Sequence, residues 1–411
     1  MNGNNDKNRH LAENAPRESP RETPRETQWR PQDGAPSPKQ VLDQSHSRFR
    51  KRKKEGVNPG IVIFILVLAA VIGVSVFVLA TGRGGVSDDV LPETNTVAET
   101  EEVTQEICDY IETEPSAVHR GSLILVNHEV AYEFPEDGTG PEVASVYDNC
   151  NGLLKVASMS DSLDPVALSR LVSFASDFEE RTGDRCFMVN SAYRTYGDQV
   201  SIYRSYSETL GEEYARTYVA NPGFSEHHTG MAADLAVVFD DGSSVPIEEY
   251  GNYNVMREMI PAYGFILRYP EDKIAVTKIG NEPWHFRYVG TPHASVIEKT
   301  GLCFEEYVGF LKNYTADGSA LYLAPDGVLR SLPFADVSLV RDSTLIYFVP
   351  KADEGNTSVP VPKNATGYQV SGNNTDGFIV TVTVGNPAET VTSVDEAVAQ
   401  TAHDSVLTGE E

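Results

Sequence analysis

The pattern of apolar and polar positions changes character three times along the chain. Ile61 to Ala80 is a continuous apolar run of 20 residues without a charge. At 1.5 Å rise per residue it reaches across roughly 30 Å of hydrocarbon, and it has no polar face to turn towards water, so it predicts a transmembrane helix over 59–81 rather than a core helix. From residue 164 the apolar positions recur with helical or strand spacing. Asp164 and Pro165 offer an N-cap and a first-turn proline, and Leu168, Leu171, Val172, Ala175 and Phe178 follow at 3.6-residue spacing until Gly183 closes the helix. Cys186 to Val189 reads as a buried strand delivering Ser191 to Arg194 at its end, followed by a helix from Asp198 through Tyr206. A strand over Gly230 to Val238, a helix from Asn254 to Tyr263 ended near Gly264, and a short strand from Trp284 to Val289 come next. A last helix runs from Pro292 to Lys299, capped by Thr291 and stopped by Gly301. Helices and strands interleave without a regular βαβ rhythm, which predicts an α+β fold with a small antiparallel sheet. Beyond Ala316 the texture turns to short alternating segments such as Ala320 to Leu323 and Gly377 to Val384, predicting a small all-β module over 314–385.

The flanks differ from all of this. Residues 1–58 contain a four-residue repeat, Pro16-Arg17-Glu18-Ser19, Pro20-Arg21-Glu22-Thr23 and Pro24-Arg25-Glu26-Thr27, and too few apolar side chains for a core, so a disordered tail is expected. Residues 82–115 read as an extended acidic linker and 386–411 as a fraying acidic tail. Charge divides unevenly: residues 1–59 hold 13 Lys+Arg against 8 Asp+Glu, net +5, so the remainder carries 20 against 52, net −32, to reach the chain's total of −27. That excludes a nucleic-acid-binding role for the large part. Arg48 to Lys54 is a basic cluster just ahead of the apolar run, and no Lys or Arg occurs between Arg83 and Arg120, which places the N-terminus in the cytoplasm and the acidic part outside the cell membrane. A cleaved signal peptide ending at Val78-Leu79-Ala80 is the competing reading, but the long preceding segment and the length of the run are atypical of one. Cys108, Cys150, Cys186 and Cys303 all fall on the outer side, where disulfides persist. Spacing does not fix their pairing; Cys108 with Cys150 and Cys186 with Cys303 is preferred because it ties down the entry segment and braces the core.

Chemistry concentrates in 116–313. Ser225-Glu226-His227-His228-Thr229-Gly230-Met231-Ala232-Ala233-Asp234 and Glu282-Pro283-Trp284-His285, with Ser191-Ala192-Tyr193-Arg194 upstream, supply the donors that a catalytic zinc needs. Such an ion takes three nitrogen or carboxylate ligands and keeps one position open, and His227, Asp234 and His285 provide two imidazoles and a carboxylate. A carboxylate inside the apolar stretch Ala232 to Val237 is costly unless a cation or partner compensates it. Glu282 is then left as a general base, and the chemistry implied is hydrolysis. Arg194, at a strand end, offers its planar fork to a substrate carboxylate or to an oxyanion. An acceptor for the outer ring nitrogens of His227 and His285 is expected, although the sequence does not identify it.

The motif Ser-x-His-x-x-Gly-x-Ala-x-Asp at 225–234, Glu-Pro-Trp-His followed by Phe286-Arg287-Tyr288-Val289-Gly290, Ser-Ala-Tyr-Arg followed by Gln199, and the lead-in Pro222-Gly223-Phe224 together resemble the VanY-type D-alanyl-D-alanine carboxypeptidases, zinc peptidases of bacterial peptidoglycan. The likeness covers roughly residues 120–312. It implies an α+β zinc peptidase that trims the terminal D-alanine of a stem peptide, with zinc (Zn2+) on His227, Asp234 and His285, Glu282 as base, Arg194 in a substrate role, and Gln199, Ser225, Tyr193 and Trp284 as substrate contacts or pocket walls. His227 rather than His228 stands seven residues before Asp234, as the motif requires. One departure is the expected hairpin from Lys273 to Asn281, which brings neither an aromatic nor a hydroxyl residue next to Glu282 in sequence. An LD-carboxypeptidase or DD-endopeptidase using the same centre, and a catalytically silent wall-binding module, are the alternatives. A structural zinc needs no spare carboxylate beside it, which argues against the silent module.

Overall fold

The computed structural model of the protein describes residues 106–135 and 140–385. The expected transmembrane helix, both tails and most of the acidic linker lie outside the described residues. Among the described residues no helix is long and apolar enough to cross a membrane.

A mixed sheet forms the floor of the site. Its strands run in the order Lys155–Val156, Phe187–Ser191, Ala232–Val238, His285–Tyr288 and Phe265–Leu267, with Ser244–Val245 also paired to the Ala232–Val238 strand. All pairings are antiparallel except that of Lys155–Val156 with Phe187–Ser191. On one face Ala233, Leu235 and Val237 enter the core, where the helix Pro165–Thr182 covers them with Leu168, Leu171, Phe174 and Phe178. That helix starts and stops where the sequence marks it. The Asp164 carboxylate accepts from the Val166 and Ala167 N–H groups at 3.0 and 2.9 Å, and Gly183 adopts φ 78°, the left-handed conformation that ends a helix. On the opposite face one row crosses three strands: Ser191 pairs with Asp234, and Asp234 pairs with His285. Residues in register share a face of the sheet, so this pairing alone gathers three elements of the sequence motifs on one side. A register shift between Val189 and Ser191 bends the strand just before the Ala192–Arg194 segment leaves it.

The β-rich part exists as a five-stranded antiparallel sheet in the order Leu329–Pro333, Ser319–Leu323, Ser343–Pro350, Gly377–Val384, Gly367–Gly372. It is packed onto the rest rather than standing apart. Leu321, Ile346, Phe348 and Ile379 share one buried cluster with Ile266, Val289, Ile297, Phe304 and Leu311. Residues 108–113, which the linker reading included, are a strand paired along its whole length with Thr357–Pro362. Asn374, at φ 67°, ties the two parts further, its amide donating to the Leu125 and Ala131 carbonyls at 2.8 Å each.

Three expectations need correction. The segment from Lys273 to Asn281 is no hairpin: Glu271–Lys273 and Ile274–Thr277 are consecutive helical turns, closed by Lys278 at φ 60°. The helix after Gly290 begins at Thr291 itself, with Gly290 in the cap position. All four cysteines are free and buried. Cys108 belongs to the core of the five-stranded sheet, Cys150 and Cys186 to the core under the helix Pro165–Thr182, and Cys303 caps the helix Phe304–Leu311, so each thiol is absorbed into its own surroundings. Burial pushes Cys108 up to about 12 and Cys303 up to about 11, the signature of inert packing thiols.

Candidate metal centre

His227 stands on a short 3-10 turn, Glu226–Thr229, closed by Gly230 at φ 73°. Gly230 is needed there because a β-carbon would also meet Val143 Cγ1 at 2.9 Å and the Asp164 backbone N at 3.3 Å. The turn leads straight into the strand carrying Asp234, and His285 opens the neighbouring strand. One donor atom each from His227, Asp234 and His285 lies within 4.8 Å of the other two, and all three residues are buried.

The hydrogen bonds settle which atoms face the centre. His227 Nδ1 lies 2.6 Å from the Ala192 carbonyl, which can only accept, so Nδ1 carries the proton and the Nε2 lone pair is directed at Asp234 Oδ2, 3.4 Å away. His285 Nδ1 lies 3.1 Å from Asp234 Oδ1, an oxygen with no hydrogen-bond donor among the described residues. The His227 Nε2 lone pair and the unsatisfied Asp234 Oδ1 therefore meet in one buried space, where a bound cation would compensate both. Two imidazoles and one carboxylate at this spacing fit zinc.

His228 is excluded from that set by its own bonds. Its Nε2 accepts from the Gly223 N–H at 3.1 Å, so its Nδ1 carries a proton and donates to the Arg194 carbonyl at 2.8 Å. Both nitrogens are spent on backbone, and the ring splints the Pro222–Phe224 lead-in to the Arg194 segment. The guanidinium of Arg194 reaches into the site: NH2 donates to Asp234 Oδ2 at 2.8 Å, Nε to Ser191 Oγ at 2.9 Å and NH1 to Gln199 Oε1 at 3.4 Å. Gln199 is fully buried, its amide bonded to the Ala220 carbonyl at 2.8 Å, so its place is behind Arg194 rather than in front of it. Ser225 is buried at the entry to the His227 turn, Tyr193 is half-buried, and Trp284 is 37% exposed beside His285.

Glu282 occupies the remaining side. Its Oε2 lies 3.6 Å from His285 Nδ1, outside the trio, and its backbone is fixed by a bond to the Tyr269 carbonyl at 3.0 Å. Burial pushes its carboxyl up to about 8, the range of a group that takes and returns protons near neutrality. Burial and the neighbouring Arg194 charge hold His227 down to about 4. Burial opposes the charge on His285 too, but the Asp234 and Glu226 carboxylates override it and raise that ring to about 9. The aromatic residue that the segment leading into Glu282 does not supply arrives through the fold, the centroid of the Tyr269 ring standing 4.8 Å from that of His285.

Sequence reasoning missed Glu226. It is 1% exposed, and its Oε1 accepts from Arg268 Nε at 2.8 Å and Arg287 NH1 at 3.0 Å, both arginines being fully buried. Burial alone would raise this carboxyl, but the two guanidinium charges overcome it and keep it ionised far below the usual carboxylate range. Its only signal in the sequence was an acid in a turn whose neighbours are all site residues.

The model of the D-alanyl-D-alanine carboxypeptidase family VanY matches residues 161–291, which include His227, Asp234, His285, Glu282, Arg194 and Glu226. A D-alanyl-D-alanine carboxypeptidase of Enterococcus faecium is 30% identical over 275 residues, 66% of this chain and 77% of that protein. The chain belongs to the VanY family. Other VanY-like proteins agree. The bifunctional D-Ala-D-Ala dipeptidase and carboxypeptidase VanXYC of Enterococcus gallinarum is 40% identical over 122 residues, 29% of this chain and 64% of that protein. A crystal structure of the vancomycin-resistance D,D-dipeptidase VanXYg with a D-Ala-D-Ala phosphinate analogue superposes with a TM-score of 0.55 at 31% identity, covering 67% of this chain and 99% of that one. As a VanY member the chain is a zinc metallopeptidase, a hydrolase of the carboxypeptidase type.

Proposed function

We propose that the protein is a membrane-anchored DD-carboxypeptidase that removes the terminal D-alanine from peptidoglycan stem peptides, with its zinc on His227, Asp234 and His285. The observation that carries this reading is the position of Glu282, a buried carboxyl 3.6 Å from His285 Nδ1 that is no member of the donor trio. A purely structural metal site has no use for such a group.

Bound zinc supplies Lewis acidity, acidifying water and polarising a carbonyl. Glu282 accepts the proton of the attacking water and returns it to the departing amine of D-alanine; a carboxyl raised to about 8 suits both transfers. Arg194 is held by Ser191 and Gln199, so its fork is presented without the entropy of a free arginine and is suited to the terminal carboxylate of the substrate or the oxyanion formed from the scissile carbonyl. Trp284 and Tyr193 line the approach. Ile61 to Ala80 anchors the chain, with the basic cluster Arg48 to Lys54 inside the cell and the catalytic part facing the wall.

The full-length chain in detergent, given a stem pentapeptide ending in D-Ala-D-Ala, is expected to release free D-alanine and leave a product shorter by one residue on mass spectrometry. Chelation should stop release and added Zn2+ restore it. Release from the tetrapeptide alone moves the assignment to an LD-carboxypeptidase, cleavage within cross-links to an endopeptidase, and no release from any stem contradicts the proposal.

A further inference from the structure

The buried charges around Glu226 leave one atom unspent. Glu226 Oε1 is claimed by Arg268 Nε and Arg287 NH1. The rest of Arg268 goes to Glu305, NH1 to Oε2 at 2.8 Å and NH2 to Oε1 at 2.5 Å. The rest of Arg287 goes to backbone, Nε to the Tyr288 carbonyl at 2.9 Å and NH2 to the Ser122 and Ile124 carbonyls at 2.9 and 3.1 Å. Two guanidiniums thus lock the plane of Glu226. Among the described residues its second oxygen, Oε2, has no hydrogen-bond partner, nor has His285 Nε2, and these two buried atoms face each other at 3.5 Å. A closure of about half an ångström makes this an ordinary N–H···O bond.

From this arrangement we infer that Glu226 is a positioning residue for the metal centre: it accepts the Nε2 proton of His285, fixes that tautomer and ring orientation, and so leaves the Nδ1 lone pair directed at Asp234 and the metal. The inference rests on the zinc reading above. A carboxylate behind a ligating imidazole fixes its tautomer and strengthens it as a donor. Here the carboxylate is itself held by arginines rather than by water, so the orientation is built into the core.

Glu226→Gln separates positioning from structural charge. The amide oxygen can still face both arginines, but the amide NH2 then points at His285 Nε2, which must become an acceptor; the proton moves to Nδ1 and occupies the ligating lone pair. Zinc affinity, measured by competition with a chromophoric chelator, is expected to fall about 10- to 100-fold or more. Glu305→Gln disturbs the same arginine without touching His285 and is expected to leave zinc affinity within about twofold, whereas a purely electrostatic role for the network predicts similar losses in both variants. Should Glu226→Gln fail to fold, 15N NMR of the histidine rings in the zinc-loaded native chain decides: Nε2 protonated and Nδ1 bound to metal on His285 supports the inference, and the opposite tautomer overturns it. Failure of the native chain to bind zinc at all would instead sink the zinc reading. Zinc bound normally with unchanged affinity in a folded Glu226→Gln sinks only this one.

Discussion

Asp234 and His285 are register partners on adjacent antiparallel strands, and their facing atoms, Oδ1 and Nδ1, lie 3.1 Å apart in a buried space where Oδ1 has no donor among the described residues. The pairing of the two strands therefore sets the spacing of two of the three proposed metal donors, and the third, His227, is set by a turn that feeds directly into the first strand.

Asp234→Asn keeps the shape of this pair and removes the charge. It is expected to lower zinc affinity by more than about 100-fold and to abolish hydrolysis, because a neutral amide replaces the one anionic donor and leaves the Arg194 charge uncompensated. Metal content by atomic absorption after dialysis checks it; a zinc-replete variant contradicts the ligand assignment.

His227 and His228 are adjacent in sequence and opposite in consequence. His227→Ala is expected to lose zinc. His228→Ala is expected to retain it and instead to lose about tenfold in kcat/KM as the Arg194 carbonyl and the Gly223 N–H lose their shared strut, with a stability cost of about 1–3 kcal/mol for the orphaned groups. Zinc stoichiometry and steady-state kinetics on the two variants test the distinction, which fails if both behave alike.

Much of this was legible from the residues. The helix Pro165–Thr182 could be read because its cap, its 3.6-residue stripe and its terminal glycine all agree, and the donor set could be read because a histidine and an aspartate seven residues apart need only one local turn-and-strand unit to meet. Glu226 could not. Its role depends on Arg268, Arg287 and Glu305, which come from the bend after Phe265–Leu267, the strand His285–Tyr288 and the helix Phe304–Leu311, and no local pattern reports such a meeting. The β-rich part was recognised by its alternation, but its attachment was not: the strand Cys108–Thr113 sits in an acidic stretch resembling spacer, and only its partner Thr357–Pro362 makes it a strand. The disulfide expectation followed compartment alone, while the cores that absorb each cysteine are set by tertiary packing.

His293 makes stability depend on acid. It is buried between Tyr307 Oη at 2.7 Å and Thr381 Oγ1 at 2.8 Å, and burial holds its ring down to about 3 against an ordinary 6.5. As pH falls below 6.5 the unfolded chain gains a proton that the folded chain refuses until about pH 3, so this residue removes stability through that window, by about 1.4 kcal/mol per pH unit. The His293→Gln variant, compared with the native chain by urea unfolding across the window, should show a shallower acid limb; an unchanged slope contradicts this assignment.

The central claim is a three-donor zinc centre with a separate proton-transferring carboxylate, and Glu282→Ala measured for zinc and turnover together tests it most directly. Retention of one zinc per chain with loss of D-alanine release is the predicted result. Loss of the metal with release preserved would contradict it.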